Sequence, residues 1–293
     1  MESPKILLIG KTGQVGWELH RSLAPMARVS AVDYPEIDLT DATAARQLVL
    51  DNKPNVVVNA AAYTAVDKAE SDTQTTQLIN GVAPAVLAEA AKQVGALMIH
   101  YSTDYVFDGT KHTPYVESDP PNPLGAYGRT KLEGDEAVRA AGGDHLIFRL
   151  CWVYAARGQN FLLTIRRLAR ERETLRVVND QFGCPTWSRL IAEATALALR
   201  HVLAAPVAGV FNGTYHLAAS GSANWHAFAA RIVEFMPQAE RRCREVVAIT
   251  TAEYPTPAKR PAYSVLDCGK LKKTFGIQLP DWEDALRLLM EKP

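Results

Sequence analysis

The chain has 293 residues and a mass of 32.1 kDa, which fits one large domain or two intimate ones. It is 47% hydrophobic and 22% charged, the balance of an ordinary globular protein, which excludes a disordered chain, a collagen-like repeat and a disulfide-built miniprotein. Lys and Arg number 32, Asp and Glu also 32, so bulk charge draws the chain to neither nucleic acid nor an anionic membrane.

The predicted elements alternate from the N-terminus. Lys5–Ile9 is a short continuous apolar run, as a buried parallel strand requires. A glycine-rich loop follows over residues 10–16, then a helix over 17–23 and a strand over 28–32 ending at Asp33. Residues 41–52 read as a helix, 55–59 as a buried strand, 73–94 as an Ala-rich helix and 97–101 as a strand. Residues 126–141 read as a helix and 146–149 as a strand. This alternation predicts a doubly wound α/β fold with a Rossmann-type parallel sheet, whose ligands sit beyond the carboxyl ends of the strands. Beyond residue 150 the rhythm loosens: helices over 160–173, 189–203, 225–235 and 282–290, strands over 175–178 and 213–217, and a proline-rich stretch at 254–261. The expectation is a dinucleotide-binding domain over 1–150 and a smaller, interleaved substrate-binding lobe mainly over 151–293. The apolar stretch at the N-terminus is short, no run approaches the roughly 20 residues of a membrane span, and the four cysteines are scattered. Together these predict a cytoplasmic protein without a signal peptide, its thiols in a reducing compartment.

Four clusters carry chemistry. Gly10-x-x-Gly13-x-x-Gly16 lies between a strand and a helix. Gly10 suits a tight turn, Gly13 a close approach to pyrophosphate, and Gly16 close packing of helix on sheet, with free N–H groups at the helix start for the anion. Asp33, 20 residues after Gly13, suits the ribose hydroxyls and leans toward NADH over NADPH, although Arg28 or Lys11 could offset that lean. Asp38 is either an adenine contact or a cap. After the third strand, Ala62, Tyr63 and Thr64 are candidate cofactor neighbours, with Asn80 further on. Ser102 and Thr103 place hydroxyls at a strand end, where one of them can bond a substrate oxygen and a tyrosine. Tyr127 and Lys131 lie at i and i+4 on one helix face. An ammonium beside Tyr127 is expected to lower the phenol's proton affinity, so that Tyr127 can protonate a carbonyl oxygen as hydride arrives at carbon.

These motifs, together with Ser102–Gly109, Trp152-Val-Tyr154, Asn179–Gly183 and Arg260-Pro261, resemble the extended short-chain dehydrogenases/reductases and, within them, the dTDP-4-dehydrorhamnose reductase family. The resemblance runs over nearly the whole chain. It implies reduction of dTDP-4-dehydro-6-deoxy-L-mannose by NADPH or NADH to dTDP-L-rhamnose, the last step in making a rhamnose donor for cell-surface polysaccharide. It implies Tyr127 as general acid, Lys131 tuning it and gripping the ribose, and Thr103 in the serine/threonine role. Gly13, Gln14, Val15, Asp33, Asp38, Leu39, Ala62, Tyr63 and Thr64 would touch the cofactor. Asp104, Tyr105 and Trp152 would line the sugar pocket, the rings suiting a sugar's C–H face. Gln181 and Arg260 are weaker candidates for the nucleotide diphosphate, as is one arginine of the cluster Arg166, Arg167, Arg170, Arg172 and Arg176. The resemblance also implies a homodimer whose subunits share Mg2+ through carboxylates. Glu18 matches one such position, but Arg189 stands where another acid is expected and opposes an ion.

Two other readings keep the same fold. A nucleotide-sugar epimerase or dehydratase would also carry the Tyr/Lys pair, with a retained NAD. A non-enzymatic regulatory subunit, like that of methionine adenosyltransferase, would act by binding a partner. The intact glycine loop and Tyr/Lys pair favour the enzyme.

Overall fold

A computed structural model describes residues 3–205 and 207–291. Its centre is a parallel sheet of β1 (Lys5–Ile9), β2 (Arg28–Val32), β3 (Val56–Asn59), β4 (Leu97–Thr103), β5 (His145–Leu150) and the strand Gly213–His216. Among the described residues the order across the sheet is β2-β1-β3-β4-β5 and then Gly213–His216. Ile9 pairs with both Val32 and Asn59. β1 therefore lies between β2 on one side and β3 on the other, and the chain's direction of travel across the sheet reverses there. This is the switch point at which such sheets bind ligands.

The strands are apolar on both faces because both faces are covered. One face carries Ile6, Leu8, Val58, Ile99 and Phe148 against helices Gln14–Leu23 (α1) and Ser188–Leu203. The other carries Leu7, Ile9, Val57 and Ile147 against Ala42–Asn52 (α2) and Ala83–Gln93. Asp41 caps α2 by accepting from the Thr43 and Ala44 N–H groups, so the cap expected of Asp38 falls three residues later.

The helix read over 73–94 contains a π turn at Leu78–Val82, a distortion that places buried Asn80 toward the site. The helix Gly269–Phe275 and the strand Glu245–Ile249 had no sequence counterpart above. The latter runs parallel to Thr174–Val178 in a separate two-stranded sheet. A further core gathers Tyr154, Leu162, Ile165, Phe228, Ile232, Trp282 and Leu286 from the C-terminal half. No helix among the described residues is long and apolar enough to cross a membrane.

Candidate active site

A cavity of about 720 Å3 opens at the carboxyl ends of β1, β3, β4 and β5. Gly10, at φ +91°, turns the chain out of β1, a conformation that favours glycine. A Cβ on Gly16 would stand 1.9 Å from the Gly10 carbonyl oxygen, so α1 can pack here only with glycine at that position. α1 begins at Gln14; its first-turn N–H groups lack partners within the helix and face the cavity lined by Gly10, Gly13, Gln14 and Val15. Asp33 closes that end. Its Oδ2 accepts from Thr12 N at 2.9 Å and Thr12 Oγ1 at 2.5 Å. A helix start for the pyrophosphate and a carboxylate for ribose hydroxyls fit a nicotinamide dinucleotide.

Ala62 and Thr64 border the same cavity. Tyr63 does not line it: its hydroxyl donates to Asp72 Oδ2 at 2.9 Å. Asn80 holds its backbone, accepting from Tyr63 N at 2.9 Å and donating to Tyr63 O at 3.1 Å, and also reaches Thr130 Oγ1 at 3.4 Å. Asp38 accepts from Thr40, and Leu39 is buried in the core beneath. Neither borders this cavity.

Tyr127 and Lys131 project from the helix Ala126–Ala140 into the cavity beside Thr103 and Asp104. A Cβ on Gly128 would meet the Tyr105 carbonyl oxygen at 2.2 Å, so glycine there lets the helix press on the strand end that carries Thr103. Thr103 borders the same cavity as Tyr127, close enough to lower the phenol's proton affinity. Its Oγ1 donates to Asp104 Oδ1 at 3.1 Å and accepts from Tyr105 N at 3.2 Å. Ser102, the other strand-end hydroxyl, also borders the cavity, but its proton is committed to Asp135 Oδ2 at 2.8 Å. The geometry thus separates two residues that spacing left equivalent.

Burial pushes the Tyr127 phenol up to about 12, with Thr103 opposing and Asp104 and Asp135 adding to the rise. This is opposite to the expected lowering, because burial of the ring sets the direction and the two carboxylates add to it. Such a phenol is fully protonated at neutral pH, as a general acid for reduction must be. Burial draws Lys131 down to about 8, against the carboxylate of Asp135, which raises it. Burial likewise lifts Asp104 to about 6, opposed by bonds from Ser264, Cys151 and Thr103.

One wall of the cavity is aromatic. Trp152, at φ +44°, stacks on Trp225 at 3.5 Å with the planes 8° apart. A Cβ on Gly183 would enter the Trp152 ring. Phe161 and Phe228 complete this wall. Tyr105 packs edge-on to Tyr127 at 5.9 Å. Gln181 acts from behind, its Oε1 accepting from Trp225 Nε1 at 3.2 Å. Arg260 pairs with Asp67 at 2.9 Å and hydrogen-bonds Tyr105 without bordering the cavity. Arg167, Arg170 and Arg176 form exposed ion pairs with Glu171, Glu240 and Glu253, the solvated face that a charge run predicts.

Two contributors escaped the sequence reading. Trp225 read only as part of an amphipathic helix. Asn160 caps Phe161–Glu171 and donates to Gln14 Oε1 at 2.9 Å, tying that helix to the glycine loop.

For the metal implied by resemblance, the residues do not fit. Glu18 lies beside Arg189, whose guanidinium bonds Glu193 at 2.9 Å. A cation already occupies that acidic environment. Among the described residues no group of three or more His, Cys, Asp or Glu could hold an ion.

A switch-point nucleotide cleft with a Tyr–Lys helix beside a strand-end threonine defines an extended short-chain dehydrogenase/reductase. The chain belongs to the family described as RmlD substrate binding domain, whose model matches residues 4–292. It is 53% identical to dTDP-4-dehydrorhamnose reductase of Burkholderia thailandensis over 97% of each chain. Two solved dTDP-4-dehydrorhamnose reductases superpose with a TM-score of 0.90, each covering 98% of both chains. That of Clostridium acetobutylicum is 37% identical. That of Bacillus anthracis, solved in complex with NADP, is 31% identical.

Proposed function

We propose that the chain reduces the 4-keto group of dTDP-4-dehydro-6-deoxy-L-mannose with NADPH or NADH, giving dTDP-L-rhamnose. The observation that carries this reading is that Tyr127, Lys131 and Thr103 share one cleft with the dinucleotide cradle and the tryptophan stack. Family membership and the names of the relatives favour this reductase over an epimerase, a dehydratase or a binding subunit.

Gly10, Gly13, Gln14, Val15, Asp33, Ala62 and Thr64 would hold the cofactor, with Tyr63 through its backbone. Bound there, the nicotinamide supplies the hydride that reaches C4. Tyr127 gives its phenolic proton to O4 as negative charge develops on that oxygen. Thr103 holds Tyr127 and can turn its hydroxyl from Asp104 to the substrate oxygen. Lys131 steadies the tyrosinate left behind. Trp152 offers a flat face to the sugar, and Trp225 fixes that face. Asp104 supports Thr103, and Arg260 holds Tyr105 from outside the cleft.

This activity takes a small nucleotide sugar as partner and requires no nucleic acid, membrane or Mg2+. A cytoplasmic homodimer is compatible with it. The test is a coupled assay in which dTDP-glucose is converted by purified 4,6-dehydratase and 3,5-epimerase before this protein and reduced nicotinamide are added. Loss of nicotinamide absorbance with dTDP-L-rhamnose formed is expected. A protein that binds the cofactor but oxidises none of it would overturn the proposal.

A further inference from the structure

Behind the Tyr–Lys pair lies a polar cluster sealed from solvent, to which the reaction as described gives no task. His100 and Asp135 are 0% exposed, Lys131 1% and Arg149 3%. Lys131 Nζ donates to the Tyr101 carbonyl at 2.6 Å and lies 3.2 Å from His100 Nε2. His100 Nε2 in turn lies 3.9 Å from Asp135 Oδ1. Asp135 Oδ2 is held by Ser102 at 2.8 Å and by Arg149 Nε at 3.3 Å. Asp135 Oδ1 makes no hydrogen bond to a described residue. Leaving such an oxygen unbonded costs stability, so the carboxylate sits there against a penalty.

Donor arithmetic gives the cluster a purpose. An ammonium has three N–H donors. Two of Lys131's are taken from behind, by a carbonyl and an imidazole. The third is therefore directed at the cavity that Lys131 lines. Burial and the Lys131 charge hold His100 well below its ordinary range, so the ring is neutral and has one acceptor nitrogen. The charged Lys131 donor at 3.2 Å from Nε2 outcompetes the neutral Asn59 amide at 3.4 Å from Nδ1, which places that acceptor at Nε2.

We propose that His100 and Asp135 are positioning residues for Lys131: they aim its free N–H into the cleft and set how firmly the amine holds its proton. The groups facing Lys131 are His100 and Tyr101 on β4 and Tyr127 and Asp135 on its own helix. Arg149 on β5 and Arg139 act on it through Asp135. Of these, only Asp135 brings negative charge. Without it, Lys131 loses the charge that opposes its burial, while Arg149 is left uncompensated. Both effects make the amine give up its proton at lower pH. Loss of the His100 acceptor acts in the same direction.

The inference rests on the proposed reduction for its bearing on rate, but its first test needs no substrate. Lys131 can be titrated by NMR of lysine labelled at Cε, its signal assigned with Lys131→Met. Asp135→Asn and His100→Leu should move its midpoint down by about one pH unit or more, and His100→Gln, which keeps an acceptor, should restore much of that shift. In the coupled assay the alkaline limb of kcat against pH should move with the midpoint. If Asp135→Asn does not fold, the His100 pair decides alone. A Lys131 midpoint unchanged in His100→Leu would overturn the proposal, as would an activity loss equal at all pH values and not relieved by His100→Gln. A shifted midpoint in a protein that does not reduce the nucleotide sugar would sink only the proposed reaction.

Discussion

Trp152 and Trp225 lie face to face at 3.5 Å, their planes 8° apart, although 73 residues separate them in the chain. Trp152 leaves β5 in a left-handed backbone conformation that is rare for a bulky residue. Trp225 starts the helix Trp225–Phe235 and is anchored through its Nε1 by Gln181. The pair makes a rigid wall of the cleft opposite the hydroxyl groups of Thr103 and Tyr127.

Trp225→Ala removes the support and leaves Trp152 free to turn. Stacking of this kind is worth about 0.5–1.5 kcal/mol beyond its buried area. KM for the nucleotide sugar should therefore rise about two- to tenfold, while the Kd for NADH stays unchanged. Steady-state kinetics and NADH fluorescence titration check the split. Equal losses in both would place Trp225 in the general fold rather than in the sugar site.

Asp104 gives a pH dependence of stability. Burial raises its carboxyl from 3.8 to about 6, so the folded chain holds this proton through a range in which the unfolded chain has released it. The stabilisation is fully present below about pH 4 and is lost as pH rises through 6, about 3 kcal/mol in all. Asp104→Asn removes the titration. Its stability relative to the parent should therefore improve from pH 4.5 to pH 7.5 in urea unfolding. A difference independent of pH would show that Asp104 ionises normally.

The cofactor-proximal half of the site was legible because it is local. A turn at Gly10, a helix start four residues later and an acid at the end of the next strand follow each other along the chain, each dictated by a neighbour. Tyr127 and Lys131 were legible because a helix brings i and i+4 together. On the other side of the cleft the resemblance named Asp104, Tyr105 and Trp152, which do line it, but the residues that support them were not legible, because they are assembled over distance. Ser264 reaches Asp104 across 160 residues, Asn160 reaches Gln14 across 146, and Trp225 meets Trp152 with no periodic signal for either. Asp135 had the right spacing, one further turn beyond Lys131, yet a carboxylate there reads as a solvated helix residue until β4 and β5 are seen to cover it. The π turn at Leu78–Val82 leaves no mark in an Ala-rich helical pattern, though it positions Asn80. The expected direction at Tyr127 failed for a related reason: Lys131 was visible in the sequence, but the burial that sets the direction was not.

Selection between the two cofactors falls to a pair beside Asp33. Lys11 Nζ meets Glu36 Oε2 at 2.6 Å, and the same carboxylate accepts from Asp33 N at 3.1 Å. With the ribose bound beside Asp33, two acids there would disfavour a 2′-phosphate, and Glu36 engages the Lys11 ammonium that could receive it. Glu36→Gln removes a charge and frees Lys11. The ratio of kcat/KM for NADPH over NADH should rise about three- to tenfold, with NADH itself little changed. An unchanged ratio would remove this pair from cofactor selection.

Arg189 makes a prediction about metal. With its guanidinium on Glu193 and beside Glu18, the acids that could share an ion are neutralised by protein. Dialysis against EDTA should leave activity and oligomeric state unchanged, and added Mg2+ should raise neither. Activity lost to EDTA and restored by Mg2+ would contradict this account of the Glu18–Arg189 face.

The central claim is that hydride reaches C4 of the sugar while Tyr127 supplies the proton to O4. The direct measurement uses NADH deuterated at the transferable position, the 4-keto sugar and either the parent protein or Tyr127→Phe, with the product read by NMR. The parent should yield dTDP-L-rhamnose carrying deuterium at C4. Tyr127→Phe should bind NADH as the parent does and turn over about 10²- to 10⁴-fold more slowly. Product lacking deuterium at C4, or a Tyr127→Phe protein of undiminished turnover, would contradict the claim.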